Sequence, residues 1–240
     1  MSFQKWAIDW SGCDGGDLGT AEQPGIWQCG LEWGVQGNWE YTADKLLSIF
    51  KKPIDISGYE TIDDLCSPPF NQSVLKILTV LSNKETADYL EFARTEKPFM
   101  QGSKGFFKMN LYPLWFPNFD DAHWHEGCAE ATGFQTKAEY KLWISQHRFP
   151  FFRQQMQTHQ PKLILCVGIG SRDHFKMAFL DEKTELNSEV IEDRTLYWAR
   201  NAGTLLAIVP FATGGSSGSL NKDSTKQLFG QRIAELLASK

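Results

Sequence analysis

Pro161-Lys162-Leu163-Ile164-Leu165-Cys166-Val167-Gly168 is apolar at every position from Leu163 to Val167. A strand with one face in water alternates apolar and polar residues, whereas a strand covered on both faces does not. The run therefore predicts an interior strand of a parallel sheet, leading through Gly168 and Gly170 into a helix that starts near Ser171. The same grammar extends outward. Towards the C-terminus, Thr204 to Val209 predicts a further strand, Gly214 to Ser219 a Gly/Ser loop, and Lys222 to Ser239 a final amphipathic helix. Towards the N-terminus, Thr136–His147 and Phe151–His159 have helical patterns separated by Pro150, which removes a backbone donor and predicts a break. Gly105 to Asn110 predicts a short strand, and helical patterns cover Ser73–Leu78 and Thr86–Phe92. The stretch 53–70, with Pro68-Pro69, interrupts them. Thr42 is a suitable N-cap for a helix over 42–51, and Gly25 to Gly30 forms the first strand. The Gly- and Asp-rich residues 1–25 predict a loop in which Asp14 and Asp17 can hold a cation or simply form surface turns. Strands alternating with helices imply an α/β fold with a mainly parallel sheet covered on both faces.

Composition narrows the class. A chain of 240 residues builds one ample core, so a single domain over 1–240 is expected, and 42% apolar with 22% charged residues is ordinary for a globular protein. The formal charge of −5 argues against a protein that coats nucleic acid non-specifically, while leaving room for a local basic face. Nine Trp and 17 Phe suit a core, or a surface that stacks bases or sugars. The five cysteines are scattered and form no close pair, which predicts reduced thiols, no metal or other cofactor, and a cytoplasmic location. No run reaches the length of a membrane span, and Met-Ser-Phe-Gln-Lys lacks the order of a signal peptide.

In an open α/β sheet, ligands bind outside the carboxyl ends of the strands. Glu32 sits on the turn after the strand that ends at Gly30, and Asn110 sits at the carboxyl end of the next one. By themselves these are a turn carboxylate and a strand-end amide.

The order of segments resembles the uracil-DNA glycosylase superfamily. Gly30-Leu31-Glu32-Trp33-Gly34 lies where the family has G-Q-D-P-Y, G-I-N-P-G or G-E-A-P-G after its first strand. Lys108-Met109-Asn110-Leu111-Tyr112-Pro113 is similar to the strand that ends in Asn before a proline-bearing stretch. Pro161 to Gly168 matches the third landmark. Val209-Pro210-Phe211, leading to Gly215-Ser216-Ser217-Gly218-Ser219-Leu220-Asn221, corresponds to the last. The likeness covers roughly residues 25–238. The chain departs from it at Trp33, which replaces the motif proline, and at the last motif, where Phe211 lies near the place of the usual His or Asn and the loop carries extra residues.

The resemblance implies a three-layer α/β/α fold around a four-stranded parallel sheet and a DNA glycosylase that flips a pyrimidine into a pocket. It implies that Glu32 is the catalytic carboxylate and that Asn110 reads the base. Gly34 falls where the strict uracil enzymes carry a Tyr beside C5, so a larger C5-modified pyrimidine, as in phage DNA, is expected to fit. That expectation leans towards attack on foreign modified DNA; mismatch repair of uracil or thymine and an inactive nucleic-acid-binding module are the alternatives. Trp33, Trp39, Tyr41 and Phe99 are candidates to stack on the base. Ser216, Ser217, Ser219, Leu220, Asn221 and Lys222 are expected to contact DNA, with Leu220 as an apolar wedge. Lys226 and the Gly168–Arg172 turn can add phosphate contacts.

Two other constellations suggest rival chemistry. Gly214–Gly218 formally matches the nucleophile elbow G-x-S-x-G around Ser216 but lacks a strand immediately before it. His123, His125 and Cys128 have donor atoms for a metal but no fourth ligand nearby in sequence.

Overall fold

The computed structural model describes residues 1–32, 41–117, 119, 124–213 and 218–239. Its centre is four parallel strands: β2 (Ile26–Gly30), β3 (Phe106–Asn110), β4 (Leu163–Val167) and β7 (Thr204–Val209), adjacent in the order β3-β2-β4-β7. These are the four strands expected from sequence. The sheet itself has seven strands among the described residues, which corrects the expected four. β1 (Gly15–Gly16) pairs antiparallel with β3 at one edge. At the other edge β6 (Arg194–Asn201) pairs antiparallel with β7, and β5 (Asn187–Ile191) with β6.

Period-2 alternation sends successive side chains to opposite faces, and the central strands bury both. Trp27, Cys29, Phe107, Met109, Ile164, Cys166, Leu206 and Ile208 enter one core. It is completed by α1 (Phe3–Ala7), α2 (Ala43–Phe50), α6 (Glu126–Thr132), α7 (Lys137–His159) and α8 (Arg172–Phe179). Ile26, Leu163, Leu165, Val167, Leu205, Ala207 and Val209 enter the other, under α3 (Ile62–Cys66), α4 (Pro69–Leu81), α5 (Tyr89–Glu96) and α9 (Asp223–Ala238). Helices on both faces make the α/β/α sandwich.

Three local expectations are corrected. Residues 1–25 are not all loop, since they contain α1 and β1; Ser2 caps α1 through its side chain. Pro150 does not end a helix: α7 runs through it for 23 residues, because Phe149 and Phe152 on either side are fully buried in the core. Tertiary packing outweighs the lost backbone bond. The stretch 53–70 contains α3, capped by Thr61.

All five cysteines are unpaired. Among the described residues no helix is long and apolar enough to cross a membrane.

Candidate active site

The strand order reverses at β2. The chain leaves β2 for β3 on one side and later returns to β4 on the other, which opens a crevice at the carboxyl ends. A cavity of about 580 Å³ lies there. Its floor is Gly30, Asn110, Val167 and Gly168, and Phe70, Phe116, Phe119 and Phe211 supply aromatic walls. Glu32 and Asn110 both line it, so the carboxylate and the amide singled out from sequence face one space.

Backbone pairing continues past the strands and fixes this geometry. Leu111 N donates to Gly30 O at 3.1 Å and Tyr112 N to Leu31 O at 2.8 Å. The missing side chain of Gly30 makes room for Asn110: a Cβ there would lie 2.4 Å from Asn110 Oδ1. Asn110 Nδ2 donates to Gly12 O at 3.0 Å. An amide has two donor hydrogens and an acceptor oxygen, so among the described residues one N–H and Oδ1 remain over.

Glu32 is deeply set. Its Oε1 lies 3.6 Å from Lys137 Nζ, and the Lys137 side chain is fully buried. That ammonium sits 3.9 Å from the ring centre of Phe116 and 5.4 Å from that of Phe119. Three phenols share the region. Burial, followed by neighbouring negative charge that includes Glu32, pushes Tyr41 up to about 12. Burial first, with the Glu32 charge adding, also raises Tyr112 and Tyr140. These phenols therefore stay neutral across the physiological range.

A second polar cluster also lines the cavity. Lys108 precedes Asn110 by two residues on β3, so both point to the same face. Lys108 Nζ lies 3.0 Å from Asp14 Oδ2 and donates to Tyr59 Oη at 2.7 Å. Tyr59 donates to Asp14 Oδ1 at 2.8 Å and accepts from Asn71 Nδ2 at 3.1 Å. Burial alone would lower the Lys108 pKa, but the Asp14 charge and the Tyr59 contact outweigh it and hold the ammonium above its ordinary value. Burial likewise raises Tyr59, against the Lys108 charge.

Arg148 organises the margin. It is fully buried, and its guanidinium donates to Ala7 O, Asp9 O, Ser11 Oγ, Ser11 O and Asn110 O at 2.6 to 3.3 Å. It ties the N-terminal segment that carries Gly12 and Asp14 to the end of β3.

Lys137 and Arg148 carried a signal in the sequence. With Tyr140, Ile144 and Phe152 they lie at helical spacing on the buried stripe of α7. Cations on an apolar stripe need buried partners. Asn71 similarly shares a stripe with Val74, Leu75 and Leu78 on α4.

The other sequence candidates fare unequally. Trp33, Gly34, Trp39, Ser216, Ser217 and His123 lie outside the described residues. Leu220 is fully buried in the core beneath α9, which corrects the expectation of a wedge entering DNA. Ser219 is buried too, and its carbonyl accepts from Arg194 Nε at 2.8 Å. Asn221 and Lys222 are exposed. Lys226 is buried and pairs with Asp223 at 3.1 Å, so it is not presented to a phosphate. Phe99 is a core residue, while Tyr41 stacks on Phe116 and His125 at 5.3 and 4.7 Å. Cys128 is buried. Asp17 binds the backbone N–H groups of Gly105 and Gly19, and Asp14 pairs with Lys108, so both acids fasten the N-terminal segment. Among the described residues no cluster of three His, Cys, Asp or Glu side chains converges on one point.

The sequence matches no protein-family model and no curated protein.

Proposed function

We propose that this chain is a DNA glycosylase, similar to the uracil-DNA glycosylase superfamily, that hydrolyses the N-glycosidic bond of a flipped, C5-substituted pyrimidine and leaves an abasic site. The observation that supports it is the shared cavity: Glu32 and Asn110 line one space at the carboxyl ends of the parallel strands. At about 580 Å³ that space is in the usual range of small-molecule sites.

In this reading Asn110 offers an acceptor and a donor to the Watson–Crick edge, and a phenylalanine wall stacks on the base. Cleavage builds positive charge on the sugar. The Glu32 carboxylate is attracted to that charge more strongly in the transition state than in the ground state. It accepts a proton from the water that attacks C1′, while the base departs with the electron pair of the broken bond.

The test is abasic-site formation on oligonucleotides carrying uracil, thymine or 5-hydroxymethyluracil, single-stranded and duplex, read as strand scission after alkali. Excision of a C5-substituted base is expected. Glu32→Gln should slow it by about 10²-fold or more, as removal of one electrostatic stabiliser does. That change also removes a negative charge 3.6 Å from the buried Lys137 ammonium, so the melting temperature is followed in parallel. The double variant Glu32→Gln with Lys137→Met removes both charges and should stay inactive.

The Glu32–Lys137 ion pair favours a second reading, a base-binding module without activity, because the ammonium offsets the field of the carboxylate. Retention of modified DNA with no scission on any of the three bases would decide for it.

A further inference from the structure

Asp14, Lys108, Tyr59 and Asn71 line the same cavity as Glu32 and Asn110, yet no step of base excision uses them. Burying a lysine and an aspartate together is costly unless every remaining hydrogen-bonding position is satisfied. Among the described residues at least two positions in this cluster are left over. An ammonium has three donors; that of Lys108 gives one to Tyr59 Oη and forms an ion pair with Asp14 Oδ2, so at least one is left over among the described residues. Asn71 uses its Nδ2 hydrogens on Tyr59 Oη and Leu65 O, whereas its Oδ1 accepts from no described residue. Tyr59 holds the two together: it takes one bond from each and gives its own proton to Asp14.

We propose that Lys108 and Asn71 form a second recognition subsite in this cavity, which takes a hydroxyl group carried by the C5 substituent of the base. This deepens the base-pocket reading above and rests on it. A hydroxyl is donor and acceptor at once; it accepts from the Lys108 ammonium and donates to Asn71 Oδ1. An anion fits less well. Asp14 already neutralises Lys108, and a further negative charge would meet no counter-ion in the cluster. Phe70, whose ring centre lies 5.9 Å from Lys108 Nζ, and the half-exposed Phe211, 6.0 Å from Phe70, give the substituent's C–H groups an apolar wall.

The experiment measures calorimetric binding of thymidine, 5-hydroxymethyl-2′-deoxyuridine and 5-carboxy-2′-deoxyuridine to the full chain. Alongside it, base release is measured from oligonucleotides that carry the same three bases. Wild type should bind the hydroxymethyl nucleoside about tenfold more tightly than thymidine, the gain expected for one hydrogen bond to a charged group. It should not prefer the carboxylate. Lys108→Met should collapse the hydroxymethyl-to-methyl ratio towards one. Tyr59→Phe, which keeps the ring and its packing, should reduce that ratio partway. Equal affinity of wild type for the methyl and hydroxymethyl nucleosides would overturn the subsite whether or not either variant folds, as would absence of binding by both. A lower melting temperature for Lys108→Met with the ratio intact would mark the pair as purely structural and overturn it as well. Release without hydroxyl preference removes the subsite and leaves the glycosylase. Hydroxyl-selective binding without release does the reverse.

Discussion

Gly30 is the residue that sets the place of the Asn110 amide in the cavity. Because a Cβ would come within 2.4 Å of Asn110 Oδ1, Gly30→Ala must push the amide aside or strain the strand end. The neighbour that gives way is a side chain, so the fold should survive with little loss of melting temperature while base affinity drops by about tenfold or more, one hydrogen bond's worth. Titration of base binding against the melting curve separates the two effects. His174 sets a pH dependence. It is half-buried on α8, and its Nδ1 lies 2.7 Å from Tyr112 Oη. Burial first, then the Lys141 ammonium, lowers its pKa below the ordinary 6.5, against the weaker pull of Asp173. The unfolded chain therefore binds this proton at a higher pH than the folded one. The contribution is complete above about 6.5 and is lost as the pH falls from there towards the folded value. Urea unfolding midpoints should decline from pH 7 to pH 5 in wild type and decline less in His174→Gln. Glu32 and Asn110 were legible in the sequence because a strand end followed by a polar residue is a local pattern. Lys108 was not singled out, since a lysine in a strand acquires meaning only when Asp14 and Tyr59 arrive from elsewhere in the chain, and the apolar stripe that carries Asn71 marks it as buried without naming its partners.

At the scale of elements, the contact between α4 and α9 depends on a small residue. A Cβ on Gly230 would lie 2.6 Å from Val80 Cβ. Gly230→Ala should destabilise by about 1–3 kcal/mol through overpacking, and adding Val80→Ala should restore part of it; chemical denaturation of the two single variants and the double gives the coupling. The four parallel strands were legible because continuous burial leaves an apolar run. The hairpin of β5 and β6 was not. β5 is exposed over most of its length and shows no apolar alternation. Its turn uses Glu192 and Asp193, both at positive φ, 52° and 90°, instead of the Asn-Gly pair that announces such a turn in sequence. Pro150 misled in the opposite direction. A local rule predicts a break, and buried aromatic neighbours hold α7 continuous through it.

For the molecule as a whole, Arg148 links the N-terminal segment, α7 and the end of β3 through a single guanidinium. Arg148→Met should cost about 3 kcal/mol or more, because several buried carbonyls lose their donor at once. It should also expose residues 1–17 to limited proteolysis and weaken base binding, since Gly12 and Asp14 lose their anchor. Arg148→Lys should rescue little, because an ammonium cannot span the fork. The division between what could be read and what could not follows from range. Apolar runs, a helix cap at Thr42 and strand-end glycines record interactions within a few residues, and from these the sequence determined the class of fold and the four central strands. Only the tertiary structure decided that Leu220 is core, that Glu32 faces Lys137, and that Asp14, Tyr59, Asn71 and Lys108 meet in one cavity. Burial and ion pairing are set by groups distant along the chain, and no local pattern encodes which of them will meet.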